Sequence, residues 1–297
     1  MKSRIYFWSA FSISVAALAQ AQPLLNEEHA PLGNFGDLAV GNDRTQIQTF
    51  PVDFTGLLTQ IDVKVERQPQ TVENLVLSVW STDSDELPDR ELVTASVPAS
   101  VVPATSNRAW VSFDISAANV FVTSGSRLAI ALDSPAENTE PFLERWEWEI
   151  GGFYSRGRTY TLVSQIVVAG HSEDFHFRTY VEPAQGANID IRPHNDRNQL
   201  NPGSGGILAV AVLTEPGFDA TSLDAATVRF GADANEAVPV GSSAVDVNRD
   251  GRRDLVLRFR VRDTAIECGQ TAAWLSGRTV GGELIFAGNP ILTVGCR

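Results

Sequence analysis

The sequence predicts an all-β protein composed of two antiparallel β-sandwich domains. Short apolar stripes with a period of two residues recur along the chain, and Gly, Pro, Asn, Asp and Ser separate them. No long stretch shows the apolar period of a helix. The polar segment 183–186, Pro-Ala-Gln-Gly, divides the pattern. We therefore expect a linker there, between one domain of residues 22–182 and another of residues 187–297.

Residues 1–21 have the pattern of a secretory signal peptide. Lys2 and Arg4 precede a mostly apolar run, and Ala19-Gln20-Ala21 forms a small-x-small cleavage site. We expect cleavage near Gln22 and export to the periplasm, the cell surface or the medium. The apolar run is too short for a membrane span, so we expect no membrane insertion after cleavage.

The charge balance narrows the classes of partner. The formal net charge is −13, and an acidic chain is repelled by nucleic acid and by anionic lipid. We therefore expect neither as a partner.

Two cysteines, Cys268 and Cys296, lie near the end of the chain. In an oxidising compartment we expect them to form a disulfide. The loop of about 28 residues that they close is worth roughly 3–4 kcal/mol in the chain-entropy model.

Five alternating stripes carry the prediction for the first domain. Turn sequences such as Ser124-Gly125-Ser126 separate them. Many short strands at this spacing predict a sandwich or jelly roll rather than a parallel sheet. The stripes are Ile61, Val63 and Val65; Leu75, Leu77 and Val79; Val111, Phe113 and Ile115; Leu128, Ile130 and Leu132; and Phe175, Phe177 and Val181.

An aromatic segment is the candidate ligand surface of this domain. Trp146 and Trp148 share one face of a predicted strand, Glu147 lies on the other face, and Tyr154 and Tyr160 follow. Flat rings beside carboxylates suit a sugar, because a ring covers the apolar face of the sugar while the acids bind its hydroxyls. The alternative is that both Trp rings point into the core of the sandwich.

We assign no catalytic residue. Glu147 and Glu149 share a strand face that is expected to be solvated. Asp174 and His176 are expected on an exposed polar stripe opposite Phe175 and Phe177, rather than in a metal site with His171 and Glu173. No nucleophile elbow, phosphate-binding loop or His-Glu-x-x-His motif occurs.

The segment from Asp246 to Asp254 predicts a calcium loop. Side-chain oxygens fall at positions 1, 3, 5 and 9, with Gly251 at position 6. The bidentate Glu of an EF-hand is absent, because position 12 is Leu257. We expect a structural calcium ion of weak affinity, with a Kd of roughly 10⁻⁴ to 10⁻³ M. A metal-free, Asx-rich hairpin turn is the alternative. The expected ligands are Asp246, Asn248, Asp250, the backbone carbonyl of Arg252, and Asp254.

The rest of the second domain is also predicted as strands. The apolar run 206–213 predicts a central strand. Leu255, Leu257 and Phe259 alternate with Arg258 and Arg260, which predicts a strand with one buried face. The Gly pair at 281–282 predicts a hairpin near the end of the chain.

Motifs of the first domain resemble a module of exported bacterial proteins. The motifs are Gln48-Thr49-Phe50, Thr55–Val63, Leu75–Trp80 and Phe177–Val181. The resemblance implies a jelly-roll, carbohydrate-binding-like fold and no known activity.

The second domain resembles another C-terminal module of exported bacterial proteins. The resemblance implies an immunoglobulin-like sandwich, calcium in the Asp-rich loop, paired cysteines and no established catalysis. The loop itself looks like the calcium hairpins of integrin-type FG-GAP repeats. The motifs that carry the resemblance are Asn188–Pro193, Asn198–Pro202, Gly206–Leu213, Phe218–Thr221, Ala226–Gly231, Asp246–Asp254 and the segment from Cys268 to Cys296.

These observations predict an exported, non-catalytic protein that calcium stabilises. We expect its jelly-roll domain to bind a polysaccharide or another cell-surface component. One alternative is a purely structural surface protein without a soluble ligand, and another is a glycan-active enzyme.

Overall fold

A computed structural model describes residues 22–30, 35–41, 44–104, 107–134, 144–150, 154–163, 166–169, 173–195 and 197–296. At residues 35–37, 144, 145, 147–150 and 173 it describes the backbone alone. These ranges are all-β, as the sequence predicts, with four single-turn 3₁₀ helices between strands. Within them no helix is long and apolar enough to cross a membrane. The 3₁₀ helices are Ala99–Val101, Ser116–Ala118, Ala220–Ser222 and Val261–Asp263.

The described residues of the first half of the chain form fourteen strands, all antiparallel to the partners with which they form ladders. In chain order they are β1 (Leu24–His29), β2 (Phe35–Val40), β3 (Arg44–Pro51), β4 (Gly56–Arg67), β5 (Leu75–Thr82), β6 (Pro88–Val97), β7 (Ala109–Asp114), β8 (Val120–Val122), β9 (Arg127–Asp133), β10 (Glu144–Ile150), β11 (Thr159–Val163), β12 (Ile166–Ala169), β13 (Glu173–Phe175) and β14 (Phe177–Pro183).

Two sheets pack face to face in this half. One has the order β1-β14-β4-β10-β13, with β2 on β10 and with β7 and β8 on β4. The other has the order β12-β11-β3-β9-β5-β6. The predicted stripes form the core between the sheets, because alternate residues of each strand point inward. Ile61, Val63 and Val65 of β4 are all 0% exposed.

Ten strands lie in the part of the second half that the structure describes. In chain order they are β15 (Gln185–Gly186), β16 (Ile189–Ile191), β17 (Gln199–Leu200), β18 (Ile207–Val212), β19 (Arg229–Gly231), β20 (Gly241–Val245), β21 (Asp254–Arg260), β22 (Ala272–Arg278), β23 (Leu284–Pro290) and β24 (Leu292–Thr293).

These strands form the sheets β16-β18-β21-β20 and β15-β23-β22-β19, and a small pair β17-β24. The apolar strand β18 is central, as predicted. In β21 the side chains of Leu255, Leu257 and Phe259 are buried, and the alternating residues Arg258 and Arg260 are exposed. The sandwich contains two short parallel pairs, β15 with β23 and β17 with β24, which the antiparallel prediction does not include.

Cys268 and Cys296 form the predicted disulfide, with their Cα atoms 5.8 Å apart. Cys268 lies in the turn before β22, and Cys296 follows β24. The amide of Gly269 also donates to the Oγ1 atom of Thr293 at 3.0 Å. The bridge therefore ties the segment after β24 to the turn before β22, which belongs to a different sheet.

The predicted linker is built into the sheets. Pro183 is the last residue of β14, and Gln185 pairs with Ile285 in β23. The two large hydrophobic clusters lie on either side of it, the first ending at Val181 and the second beginning at Ile189. Residues 183–186 therefore connect the two cores along strands β14 and β15 and not as an extended linker outside the sheets.

Side chains also join the two halves. Arg278 of β22 donates two hydrogen bonds to the Glu182 carboxylate of β14, at 2.6 and 2.8 Å. The side chain of Glu182 is 8% exposed and that of Arg278 is 25% exposed. The bond to Glu182 raises the pKa of the Arg278 guanidinium. A second pair, Arg90 with Asp233, spans the junction at 2.9 Å but is well exposed.

The difference in exposure predicts different energies for the two ion pairs. Glu182→Gln leaves the Arg278 guanidinium without its counter-charge, and we expect it to lower the free energy of unfolding by about 2–3 kcal/mol. Arg90→Gln is the matched control, because the exposed pair contributes below about 1 kcal/mol. Urea denaturation of both variants measures the difference, and equal losses would contradict the assignment.

Candidate functional site

The Asp-rich loop connects β20 to β21. The hairpin closes where Val245 pairs with Asp254. Arg249 and Gly251 take positive φ angles of 63° and 87°, which let the chain turn twice within the loop. The loop thus has the backbone conformation of a tight turn around a small volume.

Side-chain oxygens of the loop point at its own backbone. The Asp246 carboxylate accepts from the amides of Asp250 and Gly251 at 3.2 and 3.1 Å. Asn248 Oδ1 accepts from the Asp250 amide at 3.1 Å, and Asp250 Oδ1 accepts from the Arg252 amide at 2.8 Å. These contacts place Asp246, Asn248 and Asp250 on the inner side of the turn.

Asp254 fixes the base of the loop. Its side chain is 0% exposed. One oxygen accepts from the Val247 amide and the other from the Thr214 amide, each at 2.9 Å. A buried carboxylate requires such partners. Asp254 therefore links the loop to the segment after β18.

The donor set fits a hard cation in kind. Carboxylate, amide and carbonyl oxygens are the ligands that calcium takes. Each Asp oxygen that accepts one amide hydrogen keeps a second lone pair. Across the described ranges, however, no three acidic, imidazole or thiolate groups stand together as a metal centre.

The aromatic segment does not form a single surface. Trp146 is 0% exposed, its ring stacks on Phe175 with centroids 4.3 Å apart, and its indole N–H donates to the His176 carbonyl at 2.9 Å. Trp146 also belongs to the main hydrophobic core between the two sheets. The ligand interpretation of Trp146 is wrong, and the core alternative holds there.

Tyr154 and Tyr160 are buried in different places. Tyr154 lies in the main core, with its ring edge-to-face on Phe177 at 5.5 Å. Tyr160 lies in a small cluster with Ile47, under the turn that contains Asp85. Neither ring is open to a ligand. The predicted Trp148 and Glu147 side chains lie outside the described residues.

The expected polar stripe at Asp174 and His176 is also wrong. Asp174 is 9% exposed and His176 is 1% exposed. The Asp174 carboxylate accepts from the Tyr154 amide at 2.8 Å. β13 ends at Phe175 and β14 begins at Phe177, so His176 falls at a break between strands. Both faces of the segment are covered there, and a period of two cannot show such a break.

A histidine in β1 completes this cluster. The His29 ring is 5.1 Å from the Tyr154 ring and 5.9 Å from the His176 ring. Burial lowers the pKa of His29 to about 4. Burial also raises the pKa of the nearby Glu27 carboxyl, and Arg156 opposes that shift. The sequence does not single out His29, because a single histidine in a strand belongs to no motif.

The lowered pKa of His29 predicts loss of stability in mild acid. The folded state favours the neutral ring, so its contribution is complete above pH 6.5 and is lost as the pH falls toward 4. His29 is only partly buried. Between about pH 7 and pH 4.5 we therefore expect the parent to lose about 1–2 kcal/mol more than His29→Gln.

Urea denaturation at several pH values measures this loss. His194→Gln is the control, because His194 is exposed and lies in the second half of the chain. Parallel stability profiles for the parent and His29→Gln would contradict the prediction.

No protein-family model matches the chain, and no curated protein matches it.

Proposed function

We propose that the chain is an exported, non-catalytic protein whose second domain is stabilised by calcium. The convergent loop carries the proposal, because Asp246, Asn248 and Asp250 already face the inside of one tight turn. The ion would be held by Asp246, Asn248, Asp250, Asp254 and the backbone carbonyl of Arg252. The ion would offset the repulsion among the carboxylates and keep the hairpin closed.

Export is supported by the signal-like residues 1–21 and by the disulfide, which persists in oxidising compartments. We propose a polysaccharide or another cell-surface component as the partner. The paired sheets of the first half support this, since the module that its motifs resemble has a carbohydrate-binding-like fold.

A purely structural surface protein is the second candidate. The burial of Trp146 favours it, because that ring belonged to the predicted ligand surface. Retention on a polymer distinguishes the two candidates, because a purely structural protein has no polysaccharide ligand and should not be retained.

The calcium proposal predicts a stability change specific to the loop. With a Kd of roughly 10⁻⁴ to 10⁻³ M, about 10 mM calcium stabilises the folded state by about 1–3 kcal/mol. Asp250→Ala should abolish the calcium-dependent rise in Tm that the parent shows against chelator. Asp263→Ala, an exposed aspartate of the same domain, should keep the rise. Equal shifts in the parent and Asp250→Ala would reject the assignment.

A further inference from the structure

A groove runs along the junction between the two halves of the chain. Its largest cavity, of about 480 Å³, has walls from both halves, including Phe121 and Thr123 on one side and Trp274 and Phe286 on the other. Cavities of about 220 and 190 Å³ also line the junction and include Phe121 in their walls. We call this row of cavities the junction groove. Its largest cavity has the size of a small-molecule site.

Aromatic rings form one wall of the groove. Phe286 stacks on Phe121 across the junction, with centroids 5.2 Å apart and planes 6° apart. It also stacks on Trp274, at 5.3 Å and 8°. Phe286 is 7% exposed, whereas Trp274 is only half-buried. The outermost ring therefore keeps surface free for a ligand.

Gly288 sets the orientation of the Trp274 indole. A Cβ atom at Gly288 would lie 2.2 Å from the indole ring. The indole therefore lies over the backbone of β23 at Gly288, the residue with which Trp274 pairs. A side chain at position 288 would displace the ring, so Gly288 lets the indole occupy this place.

Polar groups near the rings are held in place by internal contacts. Arg90 and Asp233 neutralise each other across the groove. The Ser126 hydroxyl donates to the Thr123 carbonyl at 2.7 Å. The Asp83 carboxylate accepts from two backbone amides at 2.9 Å each. Paired charges favour an uncharged ligand, and oriented oxygens suit hydroxyl groups.

We infer that the junction groove binds a neutral oligosaccharide. The exposed part of the Trp274 indole would cover the apolar face of a sugar unit, and the hydroxyl and carboxylate oxygens would bind its hydroxyl groups. The row of adjoining cavities suits a ligand of more than one unit. The inference rests on the proposed polysaccharide partner and gives that partner a site that joins both domains.

Retention of the exported chain on insoluble polymers tests the inference. The panel consists of cellulose, chitin, xylan and amylose, with alginate as an anionic polymer, each in calcium and in chelator. The parent should be retained on at least one neutral polymer. Trp274→Ala should weaken its binding at least tenfold. Trp274→Phe should restore part of the binding, because it keeps a ring.

Two variants separate a lost site from a damaged fold. Thr123→Arg should block the groove from the first domain without changing Trp274. Trp110→Ala is the matched control, because Trp110 is half-buried on another sheet face, beneath Arg178, and its loss should leave retention unchanged. Thermal melting confirms that each variant is folded.

The outcomes distinguish the inference from the function on which it rests. Retention of the parent and of both groove variants would keep a polysaccharide partner and overturn the groove as its site. Retention on alginate alone would overturn the neutral ligand. No retention of the parent on any polymer would overturn both and favour the structural candidate. Release of reducing sugar from a bound polymer would overturn the non-catalytic function and favour a glycan-active enzyme.

Discussion

The packing of the first half of the chain and of the junction depends on the long strand β4. It pairs with β14, β10, β7 and β8. Gly56 begins it, and a Cβ atom there would lie 2.1 Å from the Glu182 carbonyl oxygen. The absence of a side chain at Gly56 lets β14 pass close by. This approach brings Glu182 within reach of Arg278, while β8 carries Phe121 toward Phe286.

The contacts at the junction differ in kind from those within each core. Within the cores, burial of apolar side chains holds the sheets together, and this interaction does not depend on the direction of the contact. At the junction, a two-hydrogen-bond ion pair and a stack of three rings fix angles as well as distance. The inserted strand β15 adds main-chain pairing. The groove has a defined shape because directional contacts border it.

Buried polar groups explain where the first domain departs from a simple alternating pattern. Glu27 and Asp174 are buried between or beside the sheets, where an ion pair with Arg156 compensates Glu27 and a hydrogen bond from the Tyr154 amide compensates Asp174. The charges of the Asp-rich loop are in a different environment. The carboxylates of Asp246 and Asp250 lie at the surface and accept hydrogen bonds from backbone amides of their own turn. A cation would find its ligands in that loop and not in the polar cluster.

The sequence by itself determined the all-β class, the position of most strands, the cysteine pair and the turn at Asp246 to Asp254. These features depend on the local alternation of apolar and polar residues, on turn-forming residues, and on the fact that two cysteines can form only one disulfide. Only the tertiary structure decided that Trp146 and His176 are covered, that residues 183–186 join the sheets, and that Phe286 stacks on Phe121 across the junction. A period of two shows which residues share a face of a strand. It does not show what covers that face, because a second sheet or another domain supplies the cover from distant parts of the chain.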